Sequence, residues 1–330
     1  MSNGQNCLVS KRGQRAGFLV RASLRLLLAI IAAAAVTLPA RANLIIIPTF
    51  AANITSDPNA ATIEATINAA IAVYQSKFTD PATVHITFQE GGGLGGSSTF
   101  FNTIPYATYL AALTADAKTS DDAIALAHLP TATQFFTLFG TRDINVKTAD
   151  ERAVGIASGQ NPDGFITLNT AIMNLSRTGP QDSSKYDLMA VASHEIDEVL
   201  GLGSALPFPF DLTGDPFPED LFRYDNSGGR SYTATNGAAA NFSIDGTTLL
   251  APFHNTNDGA DYGDWQNGAI VRVQDAFGTA GTQPDLGVEL IALDVIGYDL
   301  APASAPIPEP ATLALLVLGL AGLGFSRRKQ

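Results

Sequence analysis

Residues 186–201 read YDLMAVASHEIDEVLG. At about 100° per residue, Leu188, Ala192, Ile196, Val199 and Leu200 fall on one apolar stripe, while His194 and Glu198, four residues apart, share the opposite face. The pattern predicts a helix that begins near Tyr186 and stops at Gly201. Two side chains able to ligate a metal then point the same way, and Glu195 projects beside them. This is the arrangement of an H-E-x-x-H helix, whose first and fifth residues bind zinc and whose Glu is the general base. Here the fifth residue is Glu198, so the motif is H-E-x-x-E. A carboxylate is a legitimate zinc ligand at about 2.0–2.2 Å. The competing reading is a solvated acidic face with His194 incidental. Against it, the chain has only four histidines, and one stands beside Glu195 on the required face.

Upstream, residues 44–50 (LIIIPTF) and 84–88 (VHITF) are rich in β-branched residues and read as strands. Between them, residues 60–78 carry Ile63, Ile67, Ala70, Ile71 and Tyr74 at helical spacing, after the start signal Asp57-Pro58-Asn59. The glycine-rich tract 91–98 (GGGLGGSS) lacks the Lys of a phosphate loop and is expected to be a flexible connector. Residues 104–117 and 120–127 read as short helices, the second capped by Ser120, and 165–169 as a short strand directly preceding the H-E-x-x-E helix. Residues 205–300 carry mostly loop signals, apart from a helix expected over 287–297.

Charge divides the chain into three pieces. The formal net charge is −12, but the first 42 residues hold six basic side chains and no acid, and the last 30 hold three basic and one acidic. Residues 43–300 therefore carry ten basic against thirty acidic residues, a net of −20. Such a body excludes phosphate-driven nucleic-acid binding and favours cations. Its N-terminal neighbour has a basic start, the apolar run 26–38 and Ala40-Arg41-Ala42, the signature of a signal peptide cut after Ala42 by signal peptidase. The apolar run falls short of the roughly 20 residues of a spanning helix. The only Cys, Cys7, lies in that leader, so the body has no thiol.

At the other end, residues 301–310 (APASAPIPEP) form a Pro-rich linker, 311–325 are apolar, and the chain closes on SRRKQ. Read by composition alone, residues 311–330 are a short membrane segment with a basic cytoplasmic flank. Pro308-Glu309-Pro310, the apolar run and the Arg pair also resemble the bacterial PEP-CTERM sorting tail. That resemblance implies an exosortase as processing partner and a destination in the cell envelope, cell surface or extracellular matrix of a bacterium.

With VASHEIDEVLGLGSAL (191–206), PEDLFRYDNSGG (218–229), DYGDW (261–265) and ELIALDVIGYD (289–299), the body resembles zincin metallopeptidases, and in particular a metalloprotease group among PEP-CTERM exported proteins. The resemblance implies an α+β fold over 43–300, with a zincin-like twisted sheet, an active-site helix and a loop-rich C-terminal subdomain. It also implies zinc held by His194 and Glu198, Glu195 as the base that takes a proton from water, and a protein or peptide substrate. The metzincin form keeps Gly201 but has Ser204 where its third ligand belongs.

Because catalytic zinc normally has three protein ligands, a third is required. His254 is the first candidate, since imidazole suits zinc; Asp220, Asp261 and Asp264 are the oxygen alternatives. Tyr224, Tyr232 and Tyr262 are candidates for an oxyanion donor, and His85 and His128 read as structural. Asp211, Asp215, Asp225 and Asn226 leave a loose calcium site open, although Pro216 and Phe222 exclude an EF-hand. No G-x-S-x-G elbow is present. The expected function is a zinc endopeptidase, with an inactive zincin-like surface or matrix protein as the alternative.

Overall fold

The computed structural model describes residues 43–207 and 214–302. The leader, the sorting tail, all but the start of the Pro-rich linker and Asp211 lie outside the described residues. The chain begins with β1 (Ile45–Phe50), the one-turn α1 (Ala52–Thr55), α2 (Ala60–Lys77) and β2 (Thr83–Glu90). β1 and β2 pair in parallel, from Ile45 opposite Thr83 to Phe50 opposite Phe88. Parallel neighbours need a crossover connection, and α2 supplies it. Its predicted face, Ile63, Ile67, Ala70, Ile71 and Tyr74, is wholly buried. Val84, Ile86 and Phe88, on alternate positions of β2, fill the same core.

The glycine-rich tract departs from expectation. Instead of a flexible connector it contains β3 (Gly95–Thr99), which is followed by β4 (Phe101–Pro105). The predicted helix at 104 starts two residues later, as α3 (Tyr106–Asp116), because Ile104 is engaged in β4. α4 (Ser120–His128) is capped by Thr119 and not by Ser120. Thr119 exchanges hydrogen bonds with Asp122 in a capping box. α5 (Ala132–Phe139), β5 (Asp143–Lys147) and α6 (Thr148–Ala153) follow, and then β6 (Gly164–Leu168).

β6 joins β2 in parallel on one side and β3 antiparallel on the other. The main sheet therefore runs β1-β2-β6-β3, with β3 at its edge. Two-residue strands β7 (Met173–Asn174) and β8 (Tyr186–Asp187) lead into α7 (Leu188–Leu200). The helix starts two residues after the predicted Tyr186 because Asp187 acts as its N-cap, accepting from Ala190 N at 2.7 Å.

Leu188, Ala192, Ile196, Val199 and Leu200, the predicted stripe, are all buried. α7 packs on β3, β6 and α2. It lies so close to the sheet that at two strand positions a Cβ would force its neighbours to shift. A Cβ at Gly164 would stand 2.7 Å from Val199 Cγ2, and one at Gly95 would stand 2.3 Å from Glu195 Oε1.

Beyond α7 the chain is loop-rich, and its described residues include the 3-10 helix Pro218–Phe222 and the short strands β9 (Arg223–Tyr224), β10 (Asn241–Phe242) and β11 (Ala251–Pro252) before α8 (Val288–Ile296). Its aromatic centre of Phe242, Phe253 and Trp265 belongs to the same hydrophobic core as the sheet. The outcome is a mixed α/β fold with several sheets and eight α-helices among the described residues.

Candidate metal centre

A cleft of about 540 Å³ runs along α7 between β3 and the loop-rich segment. Its lining includes Gly95, Ser97, Lys147, Tyr186, His194, Glu195, Glu198, Asp261, Asp264 and Asp275. The face of α7 opposite the apolar stripe thus opens into a cavity and not into bulk water.

Three side chains converge there. His194 Nε2 lies 3.6 Å from Glu198 Oε1 and 3.6 Å from Asp264 Oδ1. One ligating atom from each of the three lies within 4.8 Å of the others. These separations are too long for hydrogen bonds. They match the edges of a coordination shell, because ligands about 2.1 Å from a tetrahedral ion stand about 3.4 Å apart.

The tautomer suits the same use. His194 Nδ1 is 3.1 Å from Val273 O, an acceptor only, so Nδ1 carries a hydrogen and Nε2, on the side of the two carboxylates, is the ring atom that an ion would take in place of a proton. Two carboxylates and one neutral imidazole are a donor set that fits a divalent cation such as zinc.

Electrostatics points the same way. Burial opposes charge on Glu198, but the nearby His194 with its positive charge, the charge of Lys147 and the Ser97 hydroxyl outweigh it and hold the carboxyl down to about 2. Burial likewise opposes charge on His194, yet Asp264 and Glu198 raise its pKa well above the ordinary value. The cluster therefore calls for positive charge. Burial pushes Asp264 up to about 7.

Burial and then the charge of Glu198 push Glu195 up to about 9. Its Oε2 has no hydrogen-bond partner among the described residues, so this carboxylate is not spent on holding the structure together. Lys147, itself buried, donates to Glu198 O at 2.7 Å and to Leu202 O, tying down the C-terminal end of α7 where carbonyls lack helical partners.

His254 does not join the cluster. Its Nε2 is engaged by the Asp258 carboxylate at 2.9 and 3.0 Å, and the cleft is lined without it. Its contribution is indirect, since its backbone N–H donates to Asp264 O at 2.7 Å. Among the third-ligand candidates, it is Asp264 that stands beside His194 and Glu198. Asp220 is spent on structure, accepting from Ser204 Oγ at 2.5 Å and from Ala205 N and Phe217 N at 3.0 Å. Asp261 lines the cleft but accepts from Ser204 N and Gly263 N.

Tyr224, Tyr232 and Tyr262 lie outside the cleft lining, where Tyr186 stands instead. His85 sits within β2, and His128 Nδ1 meets Ile124 O at 2.8 Å on its own helix. Of the calcium candidates, Asp225 closes its own turn through Ser227 N and Gly229 N, and Asn226 Oδ1 accepts from Asn241.

The segment 270–277 escaped the sequence reading although it orients the histidine. Val273 O fixes the ring, and Gln274 Nε2 donates to Asp264 Oδ1 at 3.0 Å. Glu289, fully buried on α8, anchors this segment by accepting from Trp265 Nε1 and Gln274 N, each at 3.1 Å. The signal available in the sequence was the pairing of DYGDW with ELIALDVIGYD, which places Trp265 and Glu289 in neighbouring blocks.

Among known proteins, residues 306–329 match the family model of the PEP-CTERM protein-sorting motif. That motif supports export, processing by an exosortase with a membrane-anchored stage, and sorting to the envelope or surface of a bacterial cell. Among the described residues no helix is long and apolar enough to cross a membrane. No curated protein and no solved structure matches the chain.

Proposed function

We propose that the cleft is the catalytic site of an exported zinc-dependent endopeptidase, with His194, Glu198 and Asp264 holding the ion and Glu195 as general base. The observation that carries this reading is the convergence of those three ligating atoms beside a buried carboxylate with an unpaired oxygen. The likeness of residues 191–299 to zincin metallopeptidases supports the same assignment. Bound zinc supplies Lewis acidity, which polarises a carbonyl and acidifies water.

The remaining work falls to the chain itself. Glu195 takes the proton of the attacking water and returns it to the departing amine. Its raised pKa keeps that proton available, and a neighbouring cation favours the charged form that accepts it. The outer edge of β3 has no partner strand among the described residues and borders the cleft. An exposed edge of this kind binds an extended peptide through main-chain hydrogen bonds. Substrate would therefore lie along β3, across the face that carries Glu195.

The alternative, a surface protein of the same build without activity, is favoured by the presence of a single histidine among the three ligands. Two measurements on protein purified without chelator separate the readings. Wild type is expected to hold about one equivalent of zinc, and His194→Ala to lose it; absence of metal from wild type overturns the centre. Glu195→Gln is expected to keep zinc while turnover of a peptide library falls by about 10²–10⁴-fold. Unchanged turnover removes Glu195 from its role.

A further inference from the structure

At position 97 the edge strand meets the metal-binding face of α7. β3 runs beside the helix, with Gly95 against Glu195 and Ser97 against Glu198. A Cβ at Gly95 would stand 2.3 Å from Glu195 Oε1, and the Ser97 hydroxyl donates to Glu198 Oε2. Strand alternation puts Gly95, Ser97 and Thr99 on one face, and all three line the cleft. Ser98 lies between them on the other face and is exposed.

The ladder with β6 has a phase that matters here. Asn169 N donates to Leu94 O at 3.1 Å, and Phe100 N donates to Asp163 O at 3.2 Å. Bonded and non-bonded pairs alternate along antiparallel strands, so Leu94, Gly96, Ser98 and Phe100 are the positions that bond to β6. Gly95, Ser97 and Thr99 turn their N–H and C=O to the open edge. Ser97 thus offers its main chain to that edge and its hydroxyl to the helix.

The two oxygens of Glu198 have different surroundings. Oε1 faces His194 Nε2 at 3.6 Å, close to the coordination edge of about 3.4 Å. Oε2 accepts from the Ser97 hydroxyl. A carboxylate can present one oxygen or both to a cation, and its terminal torsion is broad. A hydroxyl bonded to one oxygen fixes that torsion and draws charge from the oxygen it holds.

We propose that Ser97 is a positioning residue of the centre, holding Glu198 Oε2 so that Oε1 alone meets the ion. This inference rests on the cleft being a metal centre. The place a second carboxylate oxygen would fill then stays open, as catalytic zinc requires beyond its three protein ligands. A peptide lying along β3 bonds to the main chain of the same residue, so the strand that carries substrate also holds the ligand.

The test uses the full chain, with zinc and cobalt(II) as the only probes. Zinc dissociation constants are measured by competition with a chromophoric chelator, and the visible absorption of the cobalt-loaded protein is recorded. The proteins compared are wild type, Ser97→Ala, Ser97→Thr, Ser97→Val and Ser98→Ala. Zinc affinity is expected to fall by about 10–100-fold in Ser97→Ala and Ser97→Val and to stay at the wild-type level in Ser97→Thr and Ser98→Ala. The cobalt absorption is expected to weaken in Ser97→Ala and Ser97→Val, because a second carboxylate oxygen raises the coordination number, and to persist in Ser97→Thr.

Wild-type affinity in Ser97→Ala, or a cobalt spectrum indifferent to loss of the hydroxyl, overturns the positioning role and leaves the three-residue centre standing. Failure of wild type to bind zinc removes both. Threonine and valine share a shape and differ in the hydroxyl, so like behaviour of those two variants also overturns the role, even where the alanine variant folds poorly.

Discussion

Replacing Gly95 by alanine sets strand propensity against tertiary fit. On propensity alone, alanine within a strand gains about 0.5–1 kcal/mol over glycine. At this position its Cβ would stand 2.3 Å from Glu195 Oε1 and 2.7 Å from Val191 Cγ1. Favourable carbon contacts begin near 3.5 Å, so the shortfall is about 1 Å on two sides. Either β3 lifts from α7 or Glu195 is displaced. Overpacking of this kind costs about 1–3 kcal/mol, and a 1 Å error at a catalytic group costs about 10²-fold in rate.

The expected outcome is lower stability in urea, turnover of a peptide substrate down by about 10²-fold, and zinc content unchanged, because neither His194 nor Glu198 is touched. Gly96 provides the control, since a Cβ there meets nothing within 4 Å. Gly96→Ala is expected to be neutral or stabilising with full turnover. If the two variants behave alike, close approach of α7 to β3 is not the reason for glycine at position 95, and the reasoning fails.

Two further outcomes are expected. Asp264→Ala is expected to lose zinc, as a stoichiometry measurement would show, whereas His254→Ala keeps it; the reverse pattern would restore His254 as third ligand. A second expectation concerns pH. Asp80 is fully buried, and burial raises its pKa from 3.8 to about 7 even though both its oxygens accept from Asp299 N. The folded state thus holds this proton between pH 4 and 7 while the unfolded chain has released it. The stabilisation is complete below about pH 4 and is lost as pH rises through about 7. Urea titrations at pH 5 and pH 8 should show Asp80 contributing about 2 kcal/mol less at the higher pH, and Asp80→Asn should flatten that difference. An equal slope in the variant would refute the assignment.

The H-E-x-x-E helix was legible because helical periodicity is a local property. The five apolar positions that define its stripe are all buried, and His194 and Glu198 share the face that opens into the cleft. The same holds for the strand, helix, strand order at the start of the body. The sorting tail was legible too, since it is carried by residue order without tertiary structure.

β3 was not legible. Glycines in a strand weaken it in isolation, and only the ladder with β6 and the closeness of α7 make them the fitting residues.

What the sequence alone determined, then, is one helix face with its histidine and two carboxylates, and the chemistry those side chains are able to perform. The tertiary structure alone decided which further residues stand beside that face. Asp264 lies sixty-six positions beyond Glu198 in a segment without periodicity, one of many acids in an acidic body. It is chosen because Glu289 draws Trp265 and Gln274 into the core, which sets Val273 against His194 and Asp264 beside it. His254 lies outside the cleft lining, its Nε2 held by Asp258 four residues away. Contacts made over such separations depend on how loops close over the core, and no local pattern records that closure.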